Sequence, residues 1–449
     1  MEDVVDASLS KKKLPPKVYA VGAMTQFAVG LYQPFLQVYV IDMGATLGQL
    51  GLFRSVGSAA PNALQPAWGA LCDRIRRAKA FVVFGTFTGM IMVLMFLWAG
   101  SPSEMIVLYA IQSILFSMQI PTWQSLLGGL MEEENRGTEL GRLGVAVNVA
   151  ALCATLLSGF IAGFPFLISL IRGFFGDLGL ILFPAVESWR EAYYIPFYLT
   201  AIVGILASIA ALTIQEGERE KEGEARFPNL LNIATQPGDF RRLWVISILF
   251  SFSMSIAWPY FMVVQREWLG NTNLEVAIAS VVMTATTVIF TMPMGQLSDR
   301  IGRKPLIVIG RSLLFLVPIL YAFASNVYII YIANALAGFS VASSFNSITA
   351  YIYDVAPEEE RSSHLAVFNT LAGIVYFCGS LFSGIVGDWI SIGTSRYFAV
   401  FTMLLLSGVM RLFSSSLYVF LREPREYSSN MRMEIRSWIL RRRFDRDID

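Results

Sequence analysis

The sequence predicts an all-α integral membrane protein of twelve transmembrane helices in two six-helix bundles, a 6+6 repeat with both termini cytoplasmic. Three observations carry this. Of 449 residues, 55% are hydrophobic and only 15% charged, with a mean hydropathy of +0.57, which leaves too few charges to solvate a globule of this size. The apolar residues gather into runs close to or above the roughly 20 that a bilayer requires. Markers in the first half also recur in the second at a nearly constant offset of half the chain, Gly69 with Gly295 and Pro34 with Pro259 among them. The net charge of +1, with the basic residues confined to particular loops, excludes a nucleic-acid surface.

Taken in order, the apolar spans lie near 18–41, 47–69, 80–98, 105–131, 138–162, 191–213, 243–265, 274–296, 305–324, 327–354, 363–386 and 397–421. The N-terminus is polar through Lys13 and lacks the apolar core of a signal peptide, so the first span is expected to be retained. The N-terminal bundle then covers 1–213, a polar linker containing Pro228 and Pro237 covers 214–242, the C-terminal bundle covers 243–421, and a cytoplasmic tail covers 422–449. Of the 34 Lys and Arg residues, 27 fall on the side of the termini. Only Arg172, Arg190, Arg266 and Arg396 fall on the other, which places both termini in the cytoplasm. Residues 163–190 form a long outer connection with Phe174 and Phe175 that is too broken to span, and they read as lying on the membrane surface or capping the first bundle. In the tail, Met431, Ile435, Trp438 and Ile439 share a helical face among arginines, as an interfacial helix on an anionic cytoplasmic leaflet would. Cys72, Cys153 and Cys378 have neither metal nor disulfide spacing.

Two charged hairpins anchor the repeat. The downstream one reads Gly295-Gln296-Leu297-Ser298-Asp299-Arg300-Ile301-Gly302-Arg303-Lys304, and the upstream one reads Gly69-Ala70-Leu71-Cys72-Asp73-Arg74-Ile75-Arg76-Arg77-Ala78-Lys79. A glycine at a helix end admits a close neighbour, and the basic residues hold the turn on the cytoplasmic side. Here the chain resembles the major facilitator superfamily, whose inter-helix signature is G-x-L-x-D-R-x-G-R-K. The downstream copy fits at every position, whereas the upstream copy has Arg76 and Ala78 at the second glycine and the lysine. Arg136 and Arg361, each following an acidic run, recur in the same way, as do Pro34 and Pro259 in the first span of each half. The gating set is therefore Gly69, Asp73, Arg74, Arg136, Gly295, Asp299, Arg300 and Arg361 as cytoplasmic latches, Asp73 with Arg136 and Asp299 with Arg361, and Pro34 and Pro259 as hinges.

The resemblance implies that helices one, four, seven and ten line a central cavity, flanked by two, five, eight and eleven. Neutral polar residues recur on those spans, and the candidate solute-binding set is Gln26, Gln33, Gln37, Arg54, Asn62, Gln119, Asn148, Trp258, Tyr260, Thr287, Asn346 and Tyr376. Arg54 is the informative member, because a charge inside a membrane is costly and the stripe Ser58, Asn62 and Gln65 continues its face. No Asp, Glu or His lies mid-span, so a proton relay is not supported. There is no P-loop, no zinc-protease motif and no histidine cluster, which argues against an enzyme, a metal site or a cofactor. The expected protein is a monomeric secondary transporter of the cell (plasma) membrane. Its expected cargo is a small polar solute, anionic if Arg54 faces the cavity. The alternatives are efflux of amphipathic drugs or a non-transporting receptor or scaffold. The drug–proton antiporters of this superfamily carry an arginine in helix four and a Gly-Pro pair in helix five, where this chain has Gln112 and Leu157 to Gly163 without a proline.

Overall fold

The computed structural model describes residues 14–75, 77–131, 136–163, 166–183, 188–216 and 230–424, and among them every regular element is a helix. The first half contains α1 (Pro16–Asp42), α2 (Leu47–Ala63), α3 (Gln65–Ile75), α4 (Ala78–Met95), α5 (Pro102–Ser117), α6 (Gln119–Gly128), α7 (Arg136–Ala162), α8 (Phe166–Leu182), α9 (Ser188–Glu191) and α10 (Tyr194–Leu212). The second contains α11 (Leu230–Thr235), α12 (Asp239–Ala257), α13 (Phe261–Val263), α14 (Asn273–Ile301), α15 (Arg303–Leu313), α16 (Leu316–Ala322), α17 (Val327–Val355), α18 (Arg361–Gly393) and α19 (Arg396–Ser416). Ten helical stretches among the described residues, from Ala78–Trp98 to Arg396–Phe420, are long and apolar enough to cross a membrane. The first two apolar runs are helical but stand outside that set. Three glutamines dilute α1, and Pro61 and Pro66 flank a break at Leu64 that divides the second run into α2 and α3.

The internal repeat is visible in the hydrogen bonds. Proline lacks an N–H and so leaves the carbonyl four residues earlier without its helical donor. For Pro34 that carbonyl belongs to Gly30, and it accepts from Thr155 Oγ1 at 3.1 Å, while the next carbonyl, of Leu31, accepts from Ser158 Oγ at 2.6 Å. For Pro259 it belongs to Ser255, which accepts from Ser380 Oγ at 3.2 Å, and Ile256 accepts from Ser383 Oγ at 2.6 Å. Every donor and acceptor in the second set follows its counterpart by the same interval that separates the two prolines. Each proline-containing first helix is thus restrained by a later helix of its own half, α7 for the unbroken α1 and α18 for the α12–α13 break. A third pair, Thr200 to the Ala28 carbonyl and Ser407 to the Ser253 carbonyl, has its donors closer together in the chain, because the first half carries α8 between its fifth and sixth spans. That helix bends at Gly176, where φ is +53°, and exposes Phe166, Leu170 and Phe174. The expected tail helix at 431–444 lies outside the described residues.

The halves meet along two seams, α2 with α18 and α7 with α14. Small residues allow the approach. A Cβ on Gly51 would come within 2.6 Å of Gly384 Cα, a Cβ on Gly159 would overlap Ala277, and a Cβ on Gly373 would overlap Asn62.

Candidate functional site

At the end of the molecule where α1 gives way to α2, polar groups close the seam. Asp42, the last residue of α1, makes a bidentate ion pair with Arg266 beyond α13, at 2.7 and 2.9 Å. Tyr193 donates to the same carboxylate at 3.1 Å, and Arg266 also donates to the Asn271 carbonyl. Beside this pair, Thr46 donates to Asp388 at 2.9 Å, and Arg396 donates to both oxygens of Glu267 and to the Ala45 carbonyl. Below it, Gln37 donates to the Pro259 carbonyl at 2.6 Å. Bidentate, charge-assisted contacts of this kind are among the stronger polar interactions available. Apart from Gln37 and Pro259, none of these residues is in the sequence-derived set. A signal for the ion pair was present, since Asp42 and Arg266 stand at the matching end of the first span in each half. The two stand one residue off the interval that separates the prolines, and they carry opposite charges.

At the opposite end the described residues leave space around the hairpin glycines. A Cβ on Gly69 or Gly295 of the hairpins, or on Gly128, Gly141 or Gly144 nearby, would meet nothing within 4 Å. The downstream hairpin is wired within its own half. Arg303 bridges Asp299 at 2.7 Å and Asp354 at 3.1 Å. Arg361 turns instead to the Tyr353 carbonyl at 3.0 Å and to Glu358. The expected Asp299–Arg361 pair is therefore replaced by Asp299–Arg303, because Arg303 stands one helical turn on, across Gly302, and is nearly buried where Asp299 is 63% exposed. Arg74 is exposed and Arg300 follows Asp299 on the last turn of α14. The side chains of Asp73 and Arg136 lie outside the described residues.

Between the two ends, Arg54 of α2 reaches the other half. Its guanidinium carbon is 5.5 Å from the ring centroid of Trp258, and that ring packs on Tyr376 at 4.7 Å. Among the described residues no carboxylate pairs with Arg54, and its buried Nε has no hydrogen-bond partner. Gln33 is exposed in the middle of α1, and Gln26 and Asn346 are half-buried. None of the three makes a side-chain hydrogen bond among the described residues. The remaining candidates are engaged in packing. Tyr260 is buried with its hydroxyl on the Ser383 carbonyl at 2.5 Å, and Thr287 bonds the Met283 and Gly338 carbonyls. Asn62 and Asn148 bond the carbonyls of Ser58 and Gly144 in their own helices, and Gln119 is buried. Arg54, Trp258, Tyr376, Gln26, Gln33 and Asn346 are thus the candidates that make no side-chain hydrogen bond among the described residues.

Comparison with known proteins agrees with this architecture. A family model described as Major Facilitator Superfamily matches residues 18–267 and 243–444. An uncharacterized MFS-type transporter of Methanocaldococcus jannaschii is 22% identical, over 90% of this chain and 96% of its own length. The multi-drug resistance efflux pump PmrA of Streptococcus pneumoniae is also 22% identical, over 84% of this chain and 89% of its own. Among solved structures, the nucleoside transporter NupG superposes with a TM-score of 0.71 at 14% identity, over 91% of this chain and 99% of that one. A bacterial homolog of the human lysosomal transporter Spinster, inward-facing and occupied, gives 0.70 at 15%, over 90% and 94%. At such identities the structural likeness speaks for the fold alone.

Proposed function

We propose that this chain, which belongs to the major facilitator superfamily, moves a small polar, anionic solute across the membrane as a secondary transporter working by alternating access. The observation that carries the anionic reading is Arg54, a cation inside the seam with a buried, unpartnered Nε and, among the described residues, no carboxylate beside it. A carboxylate or phosphate on the solute would supply the missing partner. Twelve spans with both termini in the cytoplasm accord with the distribution of Lys and Arg, and the membrane is then the cell (plasma) membrane. In that orientation the Asp42–Arg266 end faces outward and the cleft opens inward. The charged hairpins are the latch of the opposite state, drawing together when the outer seal parts.

Efflux of amphipathic compounds is the second reading, favoured by the likeness to PmrA and by the aromatic stack of Trp258 on Tyr376. Against it, Gln112 bonds Tyr32 and the Gly89 carbonyl and so serves packing. Uptake into proteoliposomes, run against a panel of organic anions and of lipophilic cations, separates the two. Selective, saturable flux of anions that Arg54→Gln abolishes supports the first reading. Flux of lipophilic cations indifferent to that substitution overturns it.

A further inference from the structure

Away from both seams, a cavity of about 650 Å³ opens beside the start of α12. Its lining includes Pro237, Gly238, Arg241, Arg242, Val245 and Phe420. The upper part is cationic. Arg241 and Arg242 are both exposed, Arg241 pairs with no carboxylate among the described residues, and Arg242 has only Asp239 at 3.4 Å. The lower part is apolar, with Val245 one turn below Arg241, Leu249 a turn further and Phe420 opposite, all of them exposed. Contacts beside the lining tie its two contributing segments to their neighbours. Trp244 Nε1 donates to the Ala234 carbonyl at 2.8 Å, which holds α11 against α12. Beyond α19, Tyr351 donates to the Arg422 carbonyl and Glu423 accepts from the backbone N–H groups of Arg303 and Lys304. A held pocket with a basic top and a greasy wall, placed where the apolar run of α12 begins, has the polarity of a single anionic lipid.

We propose that this pocket binds an anionic phospholipid, its phosphate between Arg241 and Arg242 and an acyl chain along Val245, Leu249 and Phe420. The uncapped first turn of α12, where Gly238 supplies no side-chain cap, directs free N–H groups toward the same phosphate. Charge argues against the chain's own tail as the occupant, because residues 425–449 carry seven arginines against five carboxylates, a basic segment set against two more arginines. The site rests on the placement of α12 in a bilayer and is independent of what the seam transports.

The test uses the full chain, purified in detergent and titrated with phosphatidylglycerol, phosphatidylcholine or inorganic phosphate while bound lipid is counted by native mass spectrometry. Phosphatidylglycerol is expected to bind more tightly than phosphatidylcholine, and the double variant Arg241→Gln/Arg242→Gln to lose that preference by about tenfold or more, since each basic residue near an anionic lipid is worth about 1 kcal/mol. Equal binding of the two lipids, or an undiminished preference in the variant, overturns the proposal. Inorganic phosphate that displaces the lipid at equal concentration assigns the site to a free anion and also overturns it. In phosphatidylglycerol vesicles, a benzophenone photo-crosslinker installed at Val245 should capture an acyl chain, and capture of residues 425–449 would make the tail the occupant instead.

Discussion

Arg54 and Arg411 both lie within apolar spans, and their surroundings point them to opposite work. Arg411 is 1% exposed and donates to Ser407 and to the carbonyls of Leu314 and Met254. The Leu314 carbonyl needs such a donor because Pro318, four residues later, has no N–H to offer. Arg54 has only a cation–π contact, worth about 0.5–2 kcal/mol, against a desolvation cost of several kcal/mol. Among the described residues it has no charged partner, which is why we propose it for the solute. Arg411→Met should destabilise the protein by about 2–5 kcal/mol, because it leaves two carbonyls orphaned. Arg54→Gln should leave stability unchanged or slightly raised while weakening binding of the anionic solute roughly 10- to 100-fold, the worth of a charge-assisted hydrogen bond of about 1.5–3 kcal/mol. Thermal unfolding and solute affinity, measured on both variants, decide this. A folded Arg54→Gln protein with unchanged affinity would remove the residue from the site. The sequence singles out Arg54 because a charge within an apolar run stands out. It does not distinguish Tyr260 or Thr287 from cavity residues, since a hydroxyl bonded to a carbonyl in packing and one facing water are the same letter.

At the scale of the helix, the two prolines are legible and their restraints are not. A serine in an apolar span reads as small or polar, and only the fold reveals that Ser158 and Ser383 sit over carbonyls next to the ones that Pro34 and Pro259 set free. The same bonds at matching positions make these proline restraints features of the fold in both halves. Removing one hydroxyl, in Ser158→Ala or Ser383→Ala, should cost about 0.5–1.5 kcal/mol. Pro34→Ala and Pro259→Ala restore the helical donor and straighten the element. They should slow transport severalfold while solute affinity in detergent holds, because the binding groups stay in place and only the bend is lost. Wild-type rates in both proline variants would reduce the bends to packing. The second run departs from a plain apolar span: Pro61, Pro66 and the polar stripe from Arg54 to Gln65 lower its hydropathy where it packs on α18 between the halves.

For the molecule as a whole, the repeat and its seams follow from residues that recur, but which end is closed does not, because one sequence encodes every state of the cycle. The closed end is held by Asp42 and Arg266, at 2.7 and 2.9 Å, supported by Tyr193 and Asn271. Such a contact is worth on the order of 1.5–3 kcal/mol, comparable with the few kcal/mol that separate alternate conformers. Asp42→Asn should therefore shift the population toward opening at that end. Asp299→Asn should shift it the other way if the hairpins latch the opposite state. With Cys72, Cys153 and Cys378 replaced, a single cysteine probe in each end of the cleft reports the balance by its labelling rate. Labelling at the α1–α2 end should rise several-fold in Asp42→Asn and fall at the hairpin end. Because the two charges face one another directly across this end, the exchange Asp42→Arg with Arg266→Asp should restore part of the closed population. Restoration should be incomplete, since Tyr193 then faces a cation as donor and the Asn271 carbonyl faces a carboxylate. Labelling that is the same in the wild type, the single variant and the exchanged pair would mean that the seal is held by the glycine seams and not by this ion pair.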